Sequence, residues 1–238
     1  MNKQSIKQSA WVGDAWLKGP VRGLILAFHG LGFGGLKREP STVELEWAHA
    51  GGLVVFPYYG PWSWMNREAR AFVDDLVDSV YAAYRLPDEV PLFSTGGSMG
   101  GLSSLLYTRY ARRPIAACEA IYPVCDLKAH FTERPDLPPT ILSAFRGYTE
   151  DREALFAEHS PTAQVAGMPD IPYLVIHGDK DGAVNKAKHS DRFVAAMRKR
   201  KLDVEYIEVP GMDHGGPTPL AVLVRQIEFV TERMGGKK

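Results

Sequence analysis

The sequence predicts an α/β fold with a mostly parallel central sheet and helices on both faces. Short apolar runs alternate along the chain with longer amphipathic stretches, which is typical of strand–helix units. The apolar share of 45% and the charged share of 24% are those of a globular protein and exclude disordered and fibrous classes. At 238 residues the chain can bury a full hydrophobic core.

Six short apolar runs have the length and composition of buried strands. A seventh stretch, Ser9–Leu17 before the Gly19-Pro20 turn, is predicted to contain an antiparallel edge strand. The six predicted parallel strands are Leu24–Phe28, Leu53–Phe56, Leu92–Thr95, Ile115–Ile121, Tyr173–His177 and Val204–Val209.

Five helices are predicted between and after these strands. The segment Ser41-Thr42-Val43-Glu44 has the spacing of a capping box and predicts a helix that continues to His49. In Asn66–Tyr84 the apolar residues fall on one helical stripe. The other predicted helices are Met99–Ala111, Asn185–Arg200 and Pro219–Met234.

Residues 124–170 interrupt the alternation of strands and helices. This proline-rich stretch is too long for a plain crossover and too short for an independent domain. We therefore predict one domain over residues 1–238, with a small helical, cap-like insertion at 124–170. Insertions beside the active face often select the substrate.

Charge and targeting signals restrict the possible partners. Lys plus Arg and Asp plus Glu both number 28, and this neutral balance argues against a nucleic-acid-binding protein. The N-terminus MNKQSIKQSA lacks the apolar region of a signal peptide, and no run approaches the roughly 20 apolar residues of a membrane span. We expect a cytoplasmic protein with a small-molecule substrate, no nucleic-acid or membrane partner, and an oligomeric state that the sequence leaves open.

The strongest chemical signal is Gly96-Gly97-Ser98-Met99-Gly100-Gly101, between an apolar strand and a helical pattern. This is G-x-S-x-G in a strand–turn–helix setting. A sharp turn of this kind pushes the serine hydroxyl outward, and side chains at Gly96 and Gly100 would collide. Ser98 is therefore a candidate nucleophile, placed at a helix N-terminus that favours developing negative charge. The alternative is a glycine-rich turn with an N-cap serine.

A serine nucleophile needs a base and a carboxylate that orients the base. On this architecture the chain order is serine, acid, histidine. Downstream, a strand ends in His177-Gly178-Asp179-Lys180-Asp181, and the next strand leads to His214 on a glycine-rich loop. All three candidate sites follow the carboxyl ends of strands, where open α/β sheets bind ligands.

With these motifs the chain resembles an α/β-hydrolase of the serine-esterase type, over about Val21 to Arg233. It is similar to the dienelactone-hydrolase and prolyl-oligopeptidase-like branches, which share the H-G-D-x-D turn. The resemblance implies an α/β-hydrolase fold with Ser98 as nucleophile, Asp181 as acid and His214 as base.

Two other aspartates, Asp179 and Asp126, also lie near the ends of strands. The family's acid is the second aspartate of the turn, so Asp179 is interpreted as a turn-stabilising residue. Asp126 follows the preceding strand, where some members of the fold place the acid, and it stays open as an alternative.

The resemblance also implies an oxyanion hole formed by the N–H groups of Met99, after the nucleophile, and Leu31, in the His29-Gly30-Leu31-Gly32 loop. This loop departs from the H-G-G-G form of many lipases, which weakens a lipase-like interpretation. His29 and His177 precede glycines at strand ends and are interpreted as hydrogen-bonded structural groups. No cofactor is needed for this chemistry, and no Cys/His pair has zinc spacing.

An aromatic loop follows the second predicted parallel strand. Tyr59, Trp62 and Trp64 are predicted to bind the substrate from this loop, although they could equally form a core plug under the next helix. Aromatic residues of the insertion, Phe131, Phe145 and Tyr148, could form the opposite wall.

The resulting prediction is a serine esterase (carboxylesterase) that cleaves short-acyl or aromatic carboxylic esters through an acyl-enzyme intermediate. One alternative is a peptidase or amidase of the prolyl-oligopeptidase-like type, although 238 residues leave no room for the propeller domain such relatives usually carry. A lactonase of the dienelactone type normally uses cysteine where this chain has Ser98. A non-catalytic binding module on the same fold is the third alternative.

Overall fold

The computed structural model describes residues 2–36 and 39–234 and shows one mixed sheet in this part of the chain. Its strands are β1 (Ala10–Val12), β2 (Gly23–Phe28), β3 (Gly52–Pro57), β4 (Leu92–Gly97), β5 (Ile115–Ile121), β6 (Tyr173–Gly178) and β7 (Val204–Val209). Across the sheet the order is β1-β3-β2-β4-β5-β6-β7. Only β1 pairs antiparallel, with β3, and the other pairings are parallel. The predicted α/β-hydrolase fold class is confirmed.

The six predicted parallel strands form where expected. Five of them are buried along most or all of their length, whereas β7, at the edge of the sheet, is mostly half-buried. Strands β2, β3 and β6 are buried along their whole length, which explains their continuous apolar sequences. The edge strand forms within the predicted stretch, but it is only three residues long.

The helices of the described residues cover the two faces of the sheet. Helix α2 opens with the predicted capping box, since Ser41 and Glu44 bond each other's backbone N–H groups. The helices are α1 (Lys3–Ile6), α2 (Thr42–His49), α3 (Arg67–Tyr84), α4 (Met99–Tyr110), α5 (Leu127–His130), α6 (Leu137–Ala144), α7 (Arg152–Glu158), α8 (Pro161–Gln164), α9 (Ser190–Lys199) and α10 (Leu220–Met234).

One helix boundary was predicted wrongly. The expected helix from Asn185 begins only at Ser190, because residues 185–189 fold as turns. A single turn closes at His189, whose N–H donates to the Asn185 carbonyl. The Asp191 N–H then donates five residues back, to the Lys186 carbonyl, so this turn does not continue into α9 as a regular α-helix. These turns carry His189 away from the helix and into the protein interior, where it is fully buried.

Alternate residues of each central strand pack into cores on opposite faces. Leu24 and Leu26 of β2 contact the core under α3 and α4, whereas Ile25 and Ala27 contact the core under α2 and α10. This alternation places the helix that follows Ser98 on one face and the C-terminal helix on the other. Within the described residues, no helix combines the length and apolar character needed to cross a bilayer.

Residues 124–170 contain helices α5 to α8 and a 3₁₀ turn at Val165–Gly167. Hydrogen bonds fasten this insertion to the aromatic loop and to α3. Trp64 Nε1 donates to Thr140 Oγ1 at 3.2 Å, and Asn66 Nδ2 donates to the Ala144 carbonyl at 2.8 Å. The single domain over 1–238 stays a prediction, and residues 1, 37, 38 and 235–238 of it lie outside the described part.

A buried carboxyl group lies in the centre of the sheet. Glu119 of β5 is 1% exposed and accepts hydrogen bonds from Gln226 Nε2 and from Thr95 Oγ1. Burial raises the pKa of Glu119 from 4.5 to about 7, although both hydrogen bonds act to lower it.

Glu119 is expected to make folding stability depend on pH. A carboxyl whose pKa is higher in the folded than in the unfolded chain binds more protons when folded, so its contribution falls as pH rises from about 4.5 to about 7. In Glu119→Gln the amide oxygen can still accept from Gln226 and the amide N–H can donate to Thr95 Oγ1, and the neutral side chain removes this loss, about 3 kcal/mol across that interval. Urea unfolding of both proteins at several pH values measures the difference, and parallel curves would contradict the expected ionisation.

Candidate active site

Ser98 stands at a strained turn between β4 and α4. Its φ of 61° and ψ of −124° are unusual for a residue with a side chain. The turn is held from both sides, since Ser98 N–H donates to the Ile121 carbonyl at 3.0 Å and the Ser98 carbonyl accepts from Val124 at 3.3 Å. The end of β5 therefore fixes the backbone of Ser98.

The glycines around Ser98 are required by close backbone contacts. A Cβ at Gly100 would lie 2.2 Å from the Phe28 carbonyl oxygen, and one at Gly96 would lie 2.4 Å from the Gly100 carbonyl oxygen. The collisions predicted from the sequence are confirmed, and they explain why G-x-S-x-G occurs at this turn.

The loops after β6 and β7 carry Asp181 and His214 and are bonded to each other. Asp213 Oδ1 accepts the Gly182 N–H at 3.2 Å and the His214 N–H at 2.7 Å. Between the same loops, Lys180 N–H donates to the Met212 carbonyl at 3.1 Å. These bonds fix the position of one loop relative to the other.

The side chains of Asp181 and His214 meet directly. His214 Nδ1 lies 2.7 Å from Asp181 Oδ2, and the carboxylate side chain is only 1% exposed. Burial acts to raise the pKa of Asp181, but hydrogen bonds from His177 and His214 outweigh it and hold the pKa well below its usual range. An ionised Asp181 places the hydrogen of His214 on Nδ1 and leaves the Nε2 lone pair free to accept a proton.

The two other aspartates have different partners. Asp179 Oδ1 accepts the Gly211 N–H at 2.6 Å, a contact that stabilises the turn. Asp126 is the N-cap of α5, where Oδ1 accepts the Ala129 N–H at 2.9 Å. Of the three carboxylates, Asp181 is the one that the structure brings to His214.

The segments that carry the predicted oxyanion donors lie next to Ser98. A Cβ at Gly30 would be 3.9 Å from Ser98 Cβ, so the loop that carries Leu31 passes beside Ser98. Met99 is the first residue of α4. Among the described residues, neither the Leu31 nor the Met99 N–H has a protein acceptor. Two unpaired donors beside a serine hydroxyl are what an oxyanion hole needs.

Ser98 and His214 line one cavity of about 460 Å³, which is within the range of small-ligand sites. Its walls combine aromatic rings with imidazole and guanidinium groups. The lining residues are Phe28, His29, Gly30, Leu31, Phe33, Phe56, Trp64, Gly97, Ser98, Tyr122, His130, Arg134 and His214.

The aromatic loop contributes unequally to this cavity. Trp64 lines it, whereas Tyr59 is buried behind it, with its ring 4.1 Å from the His29 ring and its hydroxyl donating to the His29 carbonyl. Trp62 is 43% exposed and lies outside the cavity lining. Tyr59 therefore supports the loop that carries His29 and Leu31 from behind, and contact of Tyr59 or Trp62 with substrate stays a prediction.

The opposite wall of the cavity differs from the expected one. Phe131, Phe145 and Tyr148 do not line it, because they pack within the insertion: Phe131 contacts Phe156, and Phe145 contacts Tyr148. The insertion supplies His130 and Arg134 instead, so this wall is polar.

A cluster of His130, Glu133 and His189 beside this wall has donor atoms within 4.8 Å of one another and could in principle hold a metal ion. His189 Nδ1 accepts the N–H groups of Cys125 and Asp126, both at 3.1 Å, so its hydrogen is on Nε2, which faces Glu133 Oε2. A metal-bound histidine normally donates its second nitrogen's hydrogen, which this ring cannot do. The residues therefore fit a hydrogen-bonded cluster around Glu133 better than a metal site.

Two residues near His214 were missed as site residues. The Tyr122 ring lies 4.5 Å from the His214 ring, and Tyr122 has a φ of 36°. His177 Nε2 lies 3.2 Å from Asp181 Oδ2. The position of Tyr122 just after β5 and the four-residue spacing between His177 and Asp181 are the available signals, but both depend on how the loops fold.

Comparisons with known proteins agree with this fold. The chain resembles a Mycobacterium tuberculosis puromycin-hydrolyzing peptidase (21% identity, TM-score 0.71, 92% of this chain and 36% of that chain). It also resembles a Pyrococcus horikoshii acylaminoacyl peptidase (13%, 0.74, 94% and 38%). A third structure, Est1E from Butyrivibrio proteoclasticus, matches along nearly its whole length (18%, 0.68, 94% and 93%). This chain thus spans little more than a third of either peptidase.

A search of curated proteins found no match to the chain. The family model described as the prolyl oligopeptidase family matches residues 65–235, a range that includes Ser98, Asp181 and His214. Since this match covers most of the sequence and the fold is that of an α/β-hydrolase, the chain belongs to the prolyl oligopeptidase family.

Proposed function

We propose that this protein hydrolyses peptide or amide bonds of small substrates through an acyl-enzyme intermediate on Ser98. The observation that carries the proposal is the 2.7 Å contact between His214 Nδ1 and the buried Asp181 carboxylate, in a cavity that also contains Ser98. His214 Nε2 would take the Ser98 proton as Oγ attacks the carbonyl carbon, and Asp181 would stabilise the imidazolium that forms.

The negative charge of the tetrahedral intermediate would develop on the former carbonyl oxygen. The unpaired N–H groups of Leu31 and Met99 are the donors proposed to receive it. An amine is a poor leaving group until it is protonated, so His214 would return its proton to the nitrogen as the C–N bond breaks. Water activated by the same imidazole would then release the acid from Ser98.

Family membership supports an amide over an ester as the substrate. The two peptidases named above act, by their names, on puromycin and on acylaminoacyl substrates. The cavity of about 460 Å³ has apolar rings that suit a side chain and polar groups that suit a peptide backbone. In this proposal the compartment is the cytoplasm, since the two cysteines, Cys118 and Cys125, are buried free thiols.

Hydrolysis of carboxylic esters is the second candidate. The specific observation in its favour is that Est1E and a lipase in its open form match this chain over 93% of their own lengths. Both candidates use the same nucleophile, base and oxyanion donors, so they differ only in the leaving group.

A panel of paired substrates separates the two candidates. Each pair carries the same aminoacyl or N-acylaminoacyl group as a p-nitroanilide and as a p-nitrophenyl ester. We expect the wild-type protein to release p-nitroaniline from at least one anilide and Ser98→Ala to release none. If the protein cleaves only the esters, the second candidate is the function. If it cleaves neither anilides nor esters and no substrate labels it covalently, a binding module is favoured.

A further inference from the structure

The acid of the proposed triad has a second histidine behind it. His177, near the end of β6, is fully buried. Its Nε2 atom lies 3.2 Å from Asp181 Oδ2, the same oxygen that faces His214, and 3.1 Å from the Val184 carbonyl oxygen. Its Nδ1 atom lies 2.6 Å from the hydroxyl of Ser190, which is also fully buried.

These neighbours determine which nitrogen of His177 carries hydrogen. A carboxylate and a carbonyl are acceptors only, so Nε2 carries the hydrogen, which the Val184 carbonyl accepts while Asp181 Oδ2 lies 3.2 Å away. In the neutral ring Nδ1 is then an acceptor, and the Ser190 hydroxyl can donate to it. The ring is thus held at both nitrogens, with Nε2 near both Asp181 and Val184.

Four N–H groups surround the Asp181 carboxylate. Oδ1 accepts from the backbone of Ala183 at 2.8 Å and of Val184 at 2.9 Å, Oδ2 accepts from His214 at 2.7 Å, and His177 Nε2 lies 3.2 Å from Oδ2. Without His177, Oδ2 would keep only His214, the partner that changes charge during the proposed reaction. Burial of the carboxylate makes each remaining donor more important to its orientation.

We infer that His177 is a positioning residue for the triad: its Nε2–H fixes the Asp181 carboxylate so that Oδ2 stays directed at His214 Nδ1. Ser190 in turn fixes the His177 ring, because its hydroxyl donates to Nδ1. The inference rests on the proposed function of Ser98, Asp181 and His214. His177 does not touch the substrate, so its effect must pass entirely through Asp181.

A double-mutant cycle tests this dependence. His177→Leu is expected to lower kcat by about 30-fold with KM changed less than about 2-fold, the loss typical of one hydrogen bond to a charged group. His177→Gln, whose amide can donate in place of Nε2–H, is expected to recover most of kcat. In the Asp181→Asn background, His177→Leu is expected to cost less than about 3-fold, because the carboxylate it positions is absent.

Two further variants keep the test decisive. Ser190→Ala should lower kcat by about 5-fold, again only when Asp181 is present, and it serves in place of His177→Leu if that protein does not fold. His159→Leu is the matched control, since His159 is an equally buried histidine outside the cavity. It should leave kcat within about 2-fold of wild type.

The inference would be overturned if His177→Leu lowered kcat equally in the wild-type protein and in Asp181→Asn, or in neither. His177 would then be a structural residue of the core. Failure of the proposed function gives a different result in the same assay, namely wild-type turnover by Ser98→Ala. The two failures are therefore distinguishable.

Discussion

Ser98→Ala is expected to lower kcat/KM by about 10⁵-fold on any substrate the wild-type protein cleaves, because no other group can form the acyl-enzyme. Folding should be unaffected, since alanine keeps the same backbone constraints and loses only a hydroxyl. Initial rates with the best anilide or ester of the panel, together with thermal unfolding, measure both effects. Ser143 is an exposed serine on α6, so Ser143→Ala is the matched control and should keep the wild-type rate and melting temperature.

A Ser98→Ala protein that retains the wild-type rate would remove Ser98 from the mechanism. A large drop in the melting temperature would instead show that the hydroxyl is needed for folding. The bonds that hold Ser98, to Ile121, Val124 and Leu102, involve its backbone alone, which is why we expect neither result.

Asp181→Asn is expected to lower kcat by about 10⁴-fold, because the amide can hold the His214 ring in the wrong tautomer and cannot stabilise its cation. Asp126→Asn should stay within about 3-fold of wild type, because asparagine caps a helix as well as aspartate does. Both variants replace an aspartate with asparagine, so a difference between their rates comes from the position of the residue in the structure. Single-turnover or steady-state rates at saturating substrate provide the measurement.

The reverse ranking, with Asp126→Asn inactive and Asp181→Asn active, would move the acid to the end of β5. That outcome would require Asp126 to leave its cap on the Ala129 N–H and to reach His214, which now bonds Asp181 at 2.7 Å.

The parts of the fold that could be predicted are those where local sequence and burial agree. Strands covered on both faces need continuous apolar residues, so the sequence predicts β2 and β3 from their apolar runs. The nucleophile turn was visible because backbone atoms approach Gly96 and Gly100 too closely for any side chain. Asp181 and His214 were placed near Ser98 because parallel strands end at one edge of the sheet.

The parts that could not be predicted depend on contacts between distant segments. Lys186, between β6 and α9, bonds Asp191 and Glu208, and this loop has its own turns that delay α9 to Ser190. In the insertion, aromatic residues pack on one another instead of facing the cavity, because the short helices there join the core that also contains α3 and α4. No periodicity in the sequence distinguishes these two arrangements.

The role of His177 illustrates the same limit. The sequence interpretation of a hydrogen-bonded group near a strand end agrees with its contacts, but it did not identify Asp181 as the partner. The H-G-D-x-D spacing shows that the two residues are four apart, and only the turn after Gly178 brings Nε2 and Oδ2 together. A Cβ at Gly178 would lie 2.0 Å from the Met212 carbonyl oxygen, so this turn also depends on the loop that carries His214.

Covalent labelling with a fluorophosphonate, followed by peptide mapping, tests most directly whether an activated serine exists at this site. We predict a single adduct on Ser98 in the wild-type protein, strongly slowed labelling in His214→Ala and Asp181→Asn, and none in Ser98→Ala. Labelling of Ser98→Ala at the wild-type rate, or an adduct on a different residue, would contradict the mechanism.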